Sequence, residues 1–158
     1  MAVRMELSRI LIRELNDMQL IELREVAPEG IDQADIRSFP IVIGLPEATA
    51  IERRLKGIQI KRPQTHDLLA NVIGNMGGEL VSITINDLSD HTFFATLDVK
   101  AGDGQVLHID SRPSDAIALG VAEGVPIYVE EHVLEAASKD PELEPDASDD
   151  EQSEEDDE

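Results

Sequence analysis

The C-terminal stretch limits how much of this chain can fold. From Asp140 to Glu158 it carries 12 acidic residues, no Lys or Arg, and Leu143 as its one large apolar side chain. Such a segment cannot bury enough surface to offset its ordering entropy, so a disordered acidic tail is expected over 140–158. Residues 1–139 remain, a length that suits one core rather than two. The tail also accounts for much of the charge. The whole chain is at −21, but the part before Asp140 holds 22 acidic against 13 basic residues, a net of −9. Phosphate binding depends on local patches, so this balance does not by itself exclude nucleic acid.

Composition removes several chemistries. With three Phe, one Tyr and no Trp, the core must be aliphatic, and aromatic platforms for stacking successive bases are scarce. The absence of Cys excludes thiol nucleophiles, disulfides and thiolate metal sites, leaving oxygen or imidazole as metal ligands. Arg4, Glu6, Arg9, Arg13 and Glu14 interrupt the N-terminal apolar residues, and no apolar run approaches the ~20 residues of a membrane span. A cytosolic chain without a membrane partner is expected.

Patterning predicts strands over 5–14 and 18–26, joined by a turn at Asn16 and Asp17, then a loop over 27–37. Phe39 to Leu45 is a continuous apolar run suited to a central strand. Pro46, Glu47, the Ile51 and Leu55 spacing and Gly57 predict a short helix, and a second begins with Thr65 as N-cap and runs through an apolar face to Met76. Strands follow over 79–85, 92–99 and 106–110. Turn-rich residues 86–90 separate the first two, and a tight hairpin at Gly102, Asp103 and Gly104 the last two. A helix from about Ser114 to Gly124, a strand over 125–129 and a last helix around Val133 and Ala137 complete the domain. Grouped hairpins favour an α+β fold with a mostly antiparallel mixed sheet over a doubly wound parallel one.

One design occurs twice: an Arg and a Pro ahead of a helix whose first turn holds an Asp. Arg62, Pro63, Thr65, His66 and Asp67 form the first instance, and Arg112, Pro113, Ser114 and Asp115 the second. A helix start presents free amides and partial positive charge, and a nearby Arg adds paired hydrogen bonds, so both can cradle a phosphate. Arg62, Thr65, Arg112 and Ser114 are the candidate phosphate-binding residues. The plainer reading makes Asp67 and Asp115 ordinary first-turn acids and the arginines their ion-pair partners. An imidazole can take and give a proton near neutral pH, so His66 is the candidate acid or base, with Asp67 and Asp115 as companions. Side chains at 66 and 67 point about 100° apart, so these two need not touch. Glu47, Asp110 and Asp115 fall at element ends and are candidate ligands for Mg²⁺ or Mn²⁺. His108 and Asp110 share one face of a strand and can join a ligand set, while His91 and His132 are expected on the surface. Arg53, Arg54, Lys56, Lys61 and Arg62 concentrate five cations within ten residues.

Three motifs in order, Phe39 to Gly44 with Glu47, Ala48, Ala50 and Ile51, then Arg62 to Leu69, then Asp110 to Ala118, together with Pro126, Ile127 and Val129, resemble the bifunctional nuclease domain family. The resemblance covers about residues 5–137. It implies a compact α+β domain, a homodimer, and activity on RNA and DNA of the kind reported for plant members. Some relatives carry a C-terminal segment linked to DNA repair, and here the acidic tail stands in its place.

Two functions compete. The first is metal-assisted hydrolysis of RNA or DNA, with His66 as acid or base, Arg62 and Arg112 on phosphates, and Glu47, Asp110 and Asp115 on the metal. The second is a non-catalytic module that uses the same helix starts to bind a phosphorylated ligand or a protein.

Overall fold

The computed structural model describes residues 1–13, 18–27 and 29–139. The expected turn at Asn16 and Asp17 and the acidic tail from Asp140 lie outside the described residues. Strands β1 (Ala2–Leu11), β2 (Met18–Glu25) and β3 (Ser38–Gly44) come first, followed by helices α1 (Leu45–Lys56) and α2 (Thr65–Asn75). Strands β4 (Glu79–Ser89), β5 (Thr92–Lys100) and β6 (Val106–Ser111), helix α3 (Pro113–Glu123), strand β7 (Ile127–Glu130) and helix α4 (Glu131–Lys139) complete it. The order in the sheet is β3-β2-β1-β7-β4-β5-β6, antiparallel throughout except where β7 runs parallel to β4. This is the expected α+β class, with the hairpins grouped as patterning indicated.

Local chemistry sets the helix ends. Pro46 and Pro113 lie within the first two helical positions of α1 and α3, where a missing N–H is harmless. Gly57 and Gly124 close the same helices in the left-handed region, at φ 64° and 68°. Three expectations need correction here. The apolar run from Phe39, expected as a central strand, forms β3 at one edge of the sheet, where its inward-facing apolar side chains are covered by helices and by the curl toward β5. The cap of α2 is Gln64, with Thr65 already helical, because the N3 residue Asp67 accepts the Gln64 N–H at 3.0 Å. Residues 86–89 continue strand β4 through a register shift between Ile85 and Asp87, and the reversal falls at Asp90 and His91, both at positive φ. Two consecutive positive φ angles are what a two-residue hairpin turn demands.

The core is aliphatic, as composition requires. Ile21, Leu23, Ile51, Ile83, Ile85, Ile117, Leu119, Val129, Val133 and Leu134 are fully buried. Each such side chain contributes about 1.5–3 kcal/mol relative to exposure. Helix α3 lies at the centre, packed between α1 and strands β4 and β5, and is buried along most of its length. The sheet curls far enough for Phe39 of β3 to stack on Phe93 of β5, with ring centroids 5.4 Å apart, although the strands are not neighbours in the sheet. Helix α2 departs from expectation. Ala70 and Ile73 pack against the core, while Leu68, Leu69, Val72 and Met76 stay exposed and no α2 residue is fully buried.

Candidate functional site

Three helices place a carboxylate at the same local position. Glu47, Asp67 and Asp115 are each the third residue of their helix, where an anion is favoured by free amides and the helix dipole. Gly44, the cap of α1, leaves the space that the Glu47 carboxylate fills, since a Cβ there would collide with it.

The starts of α2 and α3 come together. His66 Nε2 lies 2.9 Å from Asp115 Oδ1. Arg112, just ahead of α3, donates from Nε to Asp115 Oδ2 at 2.9 Å and from Nη2 to Oδ1 at 3.3 Å, and its Nη1 reaches Glu47 Oε1 at 3.1 Å. The result is a continuous chain from Glu47 through Arg112 and Asp115 to His66. Burial works against ionisation of Asp115, but hydrogen bonds from Arg112 and His66 outweigh it and hold the carboxyl below the usual carboxylate range. Arg112 is raised above its ordinary value by its bonds to Asp115 and Glu47. Because Asp115 accepts from Nε2, the neutral His66 ring has its lone pair on Nδ1.

A cleft of about 630 Å³ opens beside this chain, lined by Ile41, Ile43, Glu47, Phe93, Arg112 and Ser114 among others. It lies between β3 and the start of β5, the seam that Phe39 and Phe93 bridge. Three of the five N–H groups of Arg112 are engaged, which leaves two for an anion entering the cleft.

Asp67 belongs to a different arrangement. It receives Arg53 Nη2 at 2.8 Å and Arg54 Nη1, while Arg54 Nε donates to the Ala118 carbonyl at 2.7 Å. Arg54 is buried against it and Arg53 half-buried. Burial opposes ionisation here too, and the Gln64 amide and Arg53 overcome it, so the carboxyl is lowered. Asp67 therefore ties α1, α2 and α3 together and does not meet the His66 chain in a hydrogen bond. The dense run of cations is mostly structural, because Lys56 pairs with Glu52 and only Lys61 and Arg62 make no ion pair among the described residues.

Arg62 and Thr65 are exposed and do not bond to the chain of charges, whereas Ser114 is buried at the second position of α3, against the cleft. Asp110 does not join either. It pairs in register with Thr96, on the sheet face opposite the helices, whereas the neighbouring Ser111 pairs with core-facing Ala95. Among the described residues no group of three or more His, Asp or Glu is gathered to hold a metal. Glu47 and Asp115 both ion-pair with the Arg112 guanidinium, through different nitrogens. A hard divalent ion such as Mg²⁺ or Mn²⁺, which binds through one or two carboxylates and keeps water on its other positions, would use oxygen donors of this kind.

A match to the family model of the bifunctional nuclease domain covers residues 31–142, most of the described chain and all of the elements that build this site. The chain belongs to the bifunctional nuclease domain family. An uncharacterized protein of Mycobacterium tuberculosis is 42% identical over 115 residues, covering 73% of this chain and 66% of its own length. Bifunctional nuclease 2 of Arabidopsis thaliana is 28% identical over 97 residues, covering 60% of this chain and 30% of its own length. Bifunctional nuclease 2 of Oryza sativa is 28% identical over 121 residues, covering 72% and 37%. The chain thus spans just under two thirds of the bacterial relative and about a third of the plant proteins. No helix among the described residues is long and apolar enough to cross a membrane.

Within this bifunctional nuclease domain, the sequence motifs missed Asp98. It lies in a strand that reads as an ordinary alternation, yet it is buried at 4% exposure among hydroxyls from two strands. A buried acid at a position flanked by Thr96 and opposite Ser82 becomes legible only once strand register is known.

Proposed function

We propose that this domain hydrolyses phosphodiester bonds of RNA or DNA at the His66, Asp115 and Arg112 junction. The contact between His66 and Asp115 carries the reading, because it couples an imidazole to a fixed carboxylate beside a cleft with free guanidinium donors. His66 Nδ1 accepts the proton of the attacking water or ribose hydroxyl, and Asp115 orients the ring and stabilises the imidazolium that results. Arg112 and the amides opening α3 grip the phosphate and offset the charge that develops on it. Glu47 and Asp115 would hold Mg²⁺ or Mn²⁺, and the cation, when bound, supplies Lewis-acid polarisation of a phosphoryl oxygen. Purified protein stripped with EDTA and resupplied with Mg²⁺ or Mn²⁺ is expected to lose and regain cleavage of single-stranded RNA and DNA. Cleavage indifferent to chelation and to Asp115→Asn rejects the assignment.

A second reading is favoured by one observation: every charge in the Glu47, Arg112, Asp115 and His66 chain already has a partner. A closed set like this suits a module that binds a phosphorylated ligand without turning it over. Thermal-shift titration with nucleotides separates the readings, since a saturable shift with no cleavage of any nucleic acid supports binding alone.

The domain also works as a homodimer in this reading. Leu68, Leu69, Val72 and Met76 leave α2 with an uncovered apolar side, and β6 is a sheet edge with Val106, Leu107 and Ile109 exposed. Light scattering should give twice the chain mass, falling to one for Leu69→Asp with Met76→Glu. Native protein already monomeric at micromolar concentration removes the dimer.

A further inference from the structure

A second histidine and carboxylate pair lies on the sheet face turned away from the helices. Along β5, Phe93, Ala95, Leu97 and Val99 belong to the core, and Thr96 and Asp98 alternate to the other side. Register aligns two rows across β4, β5 and β6: Ser82, Asp98 and His108 in one, Thr84, Thr96 and Asp110 in the next. Ser82 and Thr84 each donate to Asp98 Oδ2 at 2.7 Å, Thr96 donates to Oδ1 at 3.0 Å, and His108 Nδ1 lies 2.7 Å from Oδ1. Four donors fill the acceptor capacity of the carboxylate. Asp98 has nothing left for a ligand of its own and acts on the outside only through His108.

That contact fixes the tautomer. The carboxylate accepts, so the proton is on Nδ1 and the neutral ring keeps its lone pair on Nε2. The His108 side chain is 66% exposed, and Nε2 makes no hydrogen bond among the described residues. Asp110, two positions along the same strand face, has no partner there either. An imidazole with one nitrogen bare and the other tied to a buried carboxylate has the form of a metal-ligating histidine with its outer-shell acid. Alternation on a strand then sets a second oxygen ligand beside it.

We propose that His108 Nε2 and Asp110 form a site for a borderline divalent transition metal, with Asp98 as the outer-shell carboxylate that orients the imidazole. Imidazole with one carboxylate suits the Zn²⁺, Ni²⁺ and Cu²⁺ class better than the hard Mg²⁺, and at an open sheet edge the other coordination positions go to water. The site is separate from the His66 junction and does not depend on the hydrolytic reading.

Calorimetric titration of chelator-treated full-length protein with Zn²⁺ tests it, with ¹⁵N spectra of the histidine rings reporting which nitrogen is metallated. One saturable site per chain is expected, with the metal-induced shift at His108 Nε2. His108→Ala should abolish it and leave only weak, unsaturated binding, and His66→Ala should leave it intact. Asp98→Asn should weaken it about 10- to 100-fold. His108→Ala, at an exposed position, keeps the test sound where Asp98→Asn reduces folding. Absence of saturable binding, a site that survives His108→Ala, or one lost with His66→Ala overturns the proposal.

Discussion

His66 and Asp115 are 49 positions apart in the chain and 2.9 Å apart in the fold. Each enters from the first turn of its own helix, so their contact fixes how α2 meets α3. It also separates the two acids that follow the repeated Arg and Pro pattern, since Asp115 serves His66 and Arg112 while Asp67 serves Arg53 and Arg54.

That separation makes a prediction about activity. His66→Ala and Asp115→Asn should each lower cleavage by about 100-fold or more, the usual scale for loss of a positioned acid or base. The double variant should be little worse than either alone, because the two side chains act as one unit. Additive losses measured on a single-stranded substrate would show that they work independently.

Asp67→Asn is expected to change stability far more than chemistry. It leaves the buried Arg54 and the half-buried Arg53 without their anion, and a loss of about 3 kcal/mol, the low end for breaking a buried pair, is expected. Urea denaturation of the parent and variant measures this directly. A midpoint within error of the parent would mean that solvent replaces the carboxylate without penalty.

The same pair has a defined pH signature. The Asp67 carboxyl is lower in the folded chain than in the unfolded one, so the unfolded chain binds its proton first as pH falls. Its stabilisation is therefore complete above the ordinary carboxylate value, about 4, and is lost as pH drops through the lower folded value. The stability gap between parent and Asp67→Asn should stay constant from about pH 5 to pH 8 and narrow below about pH 4. A gap that widened toward acid would contradict the sign.

Two glycines should respond to substitution for different reasons. At Gly124, φ is 68° and no atom would meet an added Cβ, so Gly124→Ala is expected to cost about 1 kcal/mol through backbone conformation alone. At Gly78 the Cβ would press on Ile73 and Val99 at 3.2 Å, so Gly78→Ala disturbs how the end of α2 seats on β5. Thermal denaturation should show Gly124→Asn milder than Gly124→Ala, because Asn tolerates the left-handed region, and no such rescue at Gly78.

Much of the architecture is legible in the sequence. Pro46, Gly57, Pro113 and Gly124 marked the helix ends because proline and glycine act through local backbone constraints. The site was half legible. The doubled Arg and Pro pattern drew attention to Arg112, His66, Asp67 and Asp115, but spacing carries no record of which helix start faces which. Asp110 shows the limit clearly, since one further residue along β6 turns the side chain to the other face of the sheet. Thr65 has the side chain of a common cap, yet Gln64, a less usual one, takes that position because the Asp67 carboxylate holds its N–H. The apolar positions of α2 gave a helix correctly, yet periodicity cannot say whether an apolar side meets its own core or remains uncovered.

The stacking of Phe39 on Phe93 has a mechanical consequence. Where β3 approaches β5, the curled sheet is joined by side chains and not by paired backbone. Separating the two strands there would cost the ring stacking and no ladder hydrogen bond, so the join beside Arg112 rests on side-chain packing.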